Sequence, residues 1–194
     1  LRTAGYARVG STAAPTNTTA GDLTCARLNV GDVAFLGGAA SAARGGIADF
    51  EARRVRVTHS AITSITSATW TLLSLDTERF DTDTLHSTAS NISRLTAIVA
   101  GTYQIIGNVN FAANATGTRM ARIRLNNTTD IALVSVPTVA TAAVGTAICV
   151  STIYSLAATD YVELWVWQDS GGALDLLVSA NYSPEFMMYR IGDV

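Results

Sequence analysis

The chain has 194 residues, 48% of them apolar and 14% charged, with a net charge of −2 and no lysine among its basic residues. That is enough apolar material for a buried core without disulfide staples. The sparse, balanced charge excludes nucleic acid, which needs a basic stripe to displace counterions, and a polybasic membrane contact.

Residues 1–52 are built from Gly, Ala and Thr with few large anchors, including "GGAASAARGG". Only "DLTCARLNV", with Leu23, Cys25, Leu28 and Val30 as its apolar points, suggests a short strand there. Such a segment buries too little apolar surface to offset its own ordering entropy. It is therefore expected to be an extended attachment arm, ordered by neighbouring proteins. The two cysteines, Cys25 and Cys149, have no CxxC or Cys/His zinc spacing. They read as buried thiols, and the spacing leaves open whether they pair.

From residue 53 to residue 194 the pattern is all-β, and this part is expected to form a head domain. Strands are predicted at 54–64, 69–75 and 94–99. The clearest follows in "TYQIIGNVNF", where Tyr103, Ile105, Gly107, Val109 and Phe111 share one face and Gln104, Asn108 and Asn110 the other. In "RMARIRL", Ala121, Ile123 and Leu125 point one way and Met120, Arg122 and Arg124 the other. Further strands are predicted at 130–135, 146–156, 174–180 and 185–191. "YVELWVWQ" sets an aliphatic face of Val162, Leu164 and Val166 against Tyr161, Glu163, Trp165 and Trp167. Turn signals such as "NNTTD", "DSGG" and "NYSP" separate the segments, and none shows a sustained helical stripe. About ten short antiparallel strands at this spacing suggest a sandwich or jelly roll. No run approaches the roughly 18 apolar residues of a membrane-spanning helix, and no membrane insertion is expected.

The densest set of site-capable side chains is "RFDTDTLHSTASNISR", with Asp81, Asp83, His86, Asn91 and Arg94. Asp81 and Asp83 have the spacing of calcium-loop positions 1 and 3, but Leu85 and His86 stand where an oxygen ligand and glycine are required. A looser ion site from Asp81, Asp83 and His86 stays open. The favoured reading is a polar cluster that fixes the loop, with Arg94 pairing Asp81 or Asp83 and Asx side chains capping turns. No metal and no cofactor is expected.

Catalytic arrangements do not converge. The two histidines, His59 and His86, lack a GxSxG elbow, and Glu78, Glu163 and Glu185 are too scattered for paired-carboxylate chemistry. The chain reads as a non-enzyme. Its second, aromatic face needs cover, because exposed aromatic patches are unusual on monomers. Tyr103, Phe111, Tyr161, Trp165 and Trp167 are the expected trimer interface or ligand platform. Trp165 and Trp167 beside Gln168 and Asp169 would also suit a sugar.

Several segments occur in an order and spacing that resemble the tumour-necrosis-factor-like jelly roll, in the branch that includes complement globular heads and many bacterial and phage proteins. They are Arg94-Leu95-Thr96 followed by Gly101, Tyr103 and Phe111; Arg119 with Arg124-Leu125-Asn126-Asn127; Leu156–Leu164; and the closing "PEFMMYRIG". Asn127 and Thr159 stand where that pattern has glycine, which puts those two turns in question. The resemblance covers about residues 55–192. It implies a compact homotrimer with aromatic faces packed around the three-fold axis. The N-terminal composition is similar to attachment segments of phage fibres.

Together these features lead to a specific expectation: a homotrimeric virion component, a bacteriophage tail fibre, spike or capsid-decoration protein. It would be held to neighbouring virion proteins by its arm, with outer loops available to a host-surface glycan. The rivals are a bacterial secreted or spore-surface glycan- or protein-binding module of the same fold and, more distantly, a carbohydrate-active enzyme.

Overall fold

The computed structural model describes residues 53–138, 145–179 and 181–193. The expected arm at 1–52, with Cys25, lies outside them. The described residues form twelve strands: β1 (Arg54–Thr58), β2 (Thr63–Ile65), β3 (Thr71–Leu72), β4 (Thr77–Asp81), β5 (Arg94–Thr96), β6 (Gly101–Phe111), β7 (Thr118–Leu125), β8 (Thr129–Pro137), β9 (Thr146–Leu156), β10 (Tyr161–Gln168), β11 (Leu174–Leu176) and β12 (Glu185–Gly192). All pairings are antiparallel. The larger sheet runs β2-β11-β6-β12-β1-β4, with β9 on the other side of β6. The smaller runs β3-β10-β7-β8, with β5 also on β10.

Strand β6 organises the larger sheet. Its alternation buries Tyr103, Ile105, Val109 and Phe111 and turns Gln104, Asn108 and Asn110 outward. The buried row meets Val162, Leu164 and Val166 of β10 and Ala121 and Ile123 of β7 within one core. Gly107 sits where the sheets press closest, for a Cβ there would lie 2.6 Å from Leu164 Cδ1.

This arrangement corrects the expectation for Tyr103 and Phe111. Both are 0% exposed within a single chain, so neither can line a trimer interface or ligand platform. Alternation identifies residues that share a face, but not which face of a sheet is interior. Burial raises the pKa of Tyr103, and its hydroxyl donates to Val99 O at 2.7 Å.

The strands expected at 69–75, 94–99 and 174–180 are shorter, at Thr71–Leu72, Arg94–Thr96 and Leu174–Leu176, and two further elements depart from the sequence pattern. The segment 54–64 divides, because β1 stops at Thr58 and a turn precedes β2. Asp76 holds that turn by accepting from Ser60 N–H at 2.9 Å and Ser60 Oγ at 2.7 Å. Strand β4, "TERFD", has no apolar alternation and is identified only by its pairing with β1.

At the β6–β7 end the chain buries a cation. Arg119 is 0% exposed. It donates to Asn114 O, Thr116 O and Thr118 O at 3.2, 2.9 and 3.1 Å, and lies 6.0 Å over Phe111. Burial lowers its pKa, against the opposing charge of Asp169. The Asp169 carboxylate also accepts the Thr118 N–H. Gly117 makes the bend with φ of 80°, and a Cβ there would fall 2.6 Å from Asp169 O. Gly117→Ala is predicted to destabilise the head by roughly 1–3 kcal/mol in urea unfolding; an unchanged midpoint would contradict this packing.

The Asp76 turn predicts a pH dependence. Burial pushes the Asp76 carboxyl up, but hydrogen bonds from Ser60 and Thr77 and the His59 charge hold it below its ordinary value of 3.8. A depressed carboxylate stabilises the fold above its unfolded pKa, and that contribution is lost as pH falls through the folded value. Thermal unfolding should therefore show the parent losing its advantage over Asp76→Asn below about pH 4. Parallel curves at all pH values would refute the assignment.

Candidate recognition surfaces

The outward face of the smaller sheet is layered with arginine. Cross-strand register sets Trp165 opposite Arg122 and Glu163 opposite Arg124, with Arg94 of β5 opposite Glu163 from the other side. The guanidinium of Arg122 lies 3.9 Å from the ring centre of Trp70 and 5.3 Å from that of Trp165. Arg124 lies 5.5 Å from Trp165, Arg94 only 3.9 Å from Tyr161, and the Trp70 and Trp167 rings are 6.5 Å apart. Asp130 on the β7–β8 hairpin pairs with both arginines, at 3.0 Å to Arg122 and 3.1 Å to Arg124. Burial beneath this layer lowers the pKa of Arg122, against the Asp130 charge.

Tyr161, Trp165 and Trp167 are consequently half-buried within one chain. Each stacked guanidinium is favourable by about 0.5–2 kcal/mol and replaces apolar with polar surface. The aromatic row thus has cover without a second subunit. The expected sugar platform is also not assembled. Gln168 is fully buried, its amide donating to Ile65 O and Gly172 O and accepting from Ser170 N–H, while Asp169 accepts the Thr118 N–H.

The loop that leaves β4 contains Asp81, Asp83, His86 and Asn91. Asp81 accepts Asp83 N–H at 3.1 Å and His86 N–H at 2.8 Å. Asp83 pairs with Arg53 at 2.8 Å. The ring of His86 is buried, with Nδ1 2.8 Å from Glu78 Oε1 and Nε2 3.1 Å from Ile92 O. Each donor of the looser ion site is therefore engaged within the protein, and both imidazole nitrogens have hydrogen-bond partners. Among the described residues no three His, Cys, Asp or Glu side chains are grouped to hold a metal.

Arg94 does not pair with Asp81 or Asp83, as its sequence proximity suggested. Its Nε donates to Glu163 Oε1 at 3.1 Å, and its plane stacks on Tyr161. Glu163 is 2% exposed, and of the two arginines opposite it in register its carboxylate takes Arg94, while Arg124 pairs with Asp130. Beside this clamp opens a groove of about 360 Å³, walled by Thr84–Ser87, Ser90, Asn91, Thr96, Ile98, Thr159 and Tyr161. Thr84, Asn91 and Thr159 hold left-handed backbone, with φ of 57°, 52° and 77°. Thr159 thus keeps at its turn the conformation that a glycine would supply, as does Asn127 at φ 54°.

Comparison with known proteins agrees with this geometry at the level of fold. No protein-family model and no curated protein matches the sequence. Among solved structures, murine APRIL at pH 5.0 superposes with a TM-score of 0.55 at 9% identity, covering 71% of this chain and 97% of that one. The globular domain of zebrafish complement 1qA protein gives 0.51 at 12% identity, covering 73% and 99%. The chain folds as a tumour-necrosis-factor/complement-head-like jelly roll.

Removing Arg94 should isolate a buried charge. Arg94→Ala is predicted to destabilise by about 1.5–3 kcal/mol, with much of the loss recovered when Glu163→Gln is added. A double-mutant cycle in urea checks this; strictly additive effects would show that the pair is not coupled.

Proposed function

We propose that this protein is a non-catalytic homotrimeric head that builds or decorates a virion, as in a bacteriophage fibre, spike or capsid-surface protein. The observation that carries the assembly reading is the contrast between the two outward faces. On the larger sheet, Ile153 is 61% and Phe80 43% exposed, and Ile106, Met187 and Tyr189 are half-buried between them. Register places Met187 beside Ile106, and Tyr189 beside Gln104, which in turn faces Ile153. The carboxylate in this region, Glu185, is buried beneath Arg56 and Arg79 at 2.6 and 3.3 Å. The β9-β6-β12 part of the face therefore offers apolar rows, bordered on β1 by Arg56 opposite Met187 and Arg54 opposite Tyr189, which suits a subunit interface with an apolar core and a charged rim.

Homotrimerisation is what the sequence resemblance implies, and the fold is compatible with it. The interface assigned to it moves from the Trp165/Trp167 face to the β9-β6-β12 face. Support for a virion setting comes from the weakly charged, Thr-rich composition and the small-residue segment at 1–52. Light scattering on the full chain should report a trimer. Ile153→Arg with Met187→Arg should give a folded monomer, and Trp167→Ala should leave the trimer intact. A monomeric parent would overturn the proposal, as would a trimer lost on Trp167→Ala yet retained by the double arginine variant.

A further inference from the structure

We infer that the groove beside Arg94 is a binding site for a carboxylate-bearing sugar. The inference deepens the host-surface part of the proposed function and rests on the head being a recognition module. Three features of the groove carry it.

The first is charge. Arg94 lines the groove, and none of the lining residues is acidic. Carboxylates on the flanking elements are engaged elsewhere: Asp81 accepts two backbone N–H groups, Glu78 faces His86, Glu163 is held beneath Arg94, and Asp160, between Thr159 and Tyr161, accepts from Asn126 Nδ2 and Ala157 N–H. His86 adds no donor, because both of its ring nitrogens already have partners.

The second is preorganisation. Arg94 is anchored at Nε by Glu163 and on one face by Tyr161, and among the described residues Nη1 and Nη2 have no partner. A guanidinium fixed in this way presents a donor fork to a planar anion without losing rotamer entropy on binding. One fork whose charge is shared with Glu163 offers two directed donors to a monoanionic carboxylate; a phosphate dianion calls for more cationic partners than the groove contains.

The third is the remaining lining. Leu85, Ile98 and the Tyr161 ring supply apolar surface for the C–H face of a pyranose. Thr84, Ser90, Asn91 and Thr96 bring hydroxyl and amide groups that have no side-chain partner among the described residues. The volume of about 360 Å³ falls at the small end of ligand sites and fits a short saccharide unit. Thr84, Asn91 and Thr159, which all line the groove, hold left-handed backbone.

The test uses the full chain, with amide and arginine Nε–H resonances followed during titration and light scattering run on the same samples. The probes are trigalacturonate and N-acetylneuraminic acid, against a neutral galactose trisaccharide and inorganic phosphate. The expected result is that at least one acidic sugar shifts residues 84–98 and 159–161 and the Arg94 Nε–H, while the neutral sugar and phosphate do not. Arg94→Gln with Glu163→Gln, which keeps the buried pair neutral, should weaken binding by about tenfold or more. Ser90→Tyr, at an exposed position, should block the groove with the spectrum otherwise preserved. The site is overturned if neither acidic sugar binds, if the neutral sugar or phosphate gives the same shifts, if the shifts map to Trp167, or if both variants bind like the parent. Because the trimer is measured independently, loss of sugar binding with the trimer intact rejects the site and leaves the assembly reading standing.

Discussion

The buried carboxylate of Glu163 sets the pattern on which the functional reading depends. It lies near the start of β10 on the face opposite the core, flanked by Arg94 of β5 and Arg124 of β7. A buried charge without a partner costs several kcal/mol, so this position requires a cation alongside. Arg94 meets that requirement and then has only one way to lie, flat on Tyr161. Two residues further along β10, Trp165 meets Arg122 and Arg124, with Asp130 holding both guanidinium groups. One strand thus closes the outer face of the smaller sheet with the chain's own side chains and leaves one guanidinium edge open at its end.

The two sheets are consequently unlike. The smaller has an outer surface of stacked cations and rings, with exposed Leu133 opposite Arg122 on β8 as its apolar exception. The larger has apolar rows at Ile153, Ile106 and Met187 with only polar, uncharged residues between them on β6 and β9. Cys149 belongs to that second surface: it is exposed and opposite Asn108, not a buried thiol as its apolar surroundings in the sequence suggested. Association through the larger sheet and ligand contact at the Arg94 end would occupy separate parts of the head, so each can be altered without the other.

Much of the architecture was legible in the sequence, because β6, β7 and β10 have two-residue alternation that segregates their aliphatic residues, with Ile106 on the outward face of β6 as the exception. What alternation could not supply was the direction of each face. Tyr103 and Phe111 share the aromatic character of Trp165 and Trp167, yet the first pair is interior and the second outward. Strand β4 was invisible because an edge strand with exposed residues needs no apolar period. The Arg94 partner was missed for a different reason. Glu163 is 69 residues away, and only the β5–β10 register brings it closer than Asp81 or Asp83. The polar run itself divides: Asp81 and Asp83 secure the loop internally, His86 does so while also lining the groove, and Arg94 and Asn91 face the groove.

The most direct test of which face assembles is the reactivity of Cys149 in a Cys25→Ser chain, read together with acrylamide quenching of tryptophan. If subunits meet through the β9-β6-β12 face, alkylation of Cys149 should slow markedly as the oligomer forms, with tryptophan quenching little changed. An alkylation rate that is the same in monomer and oligomer, with quenching that falls on assembly, would place the interface on the Trp165/Trp167 face and contradict the account.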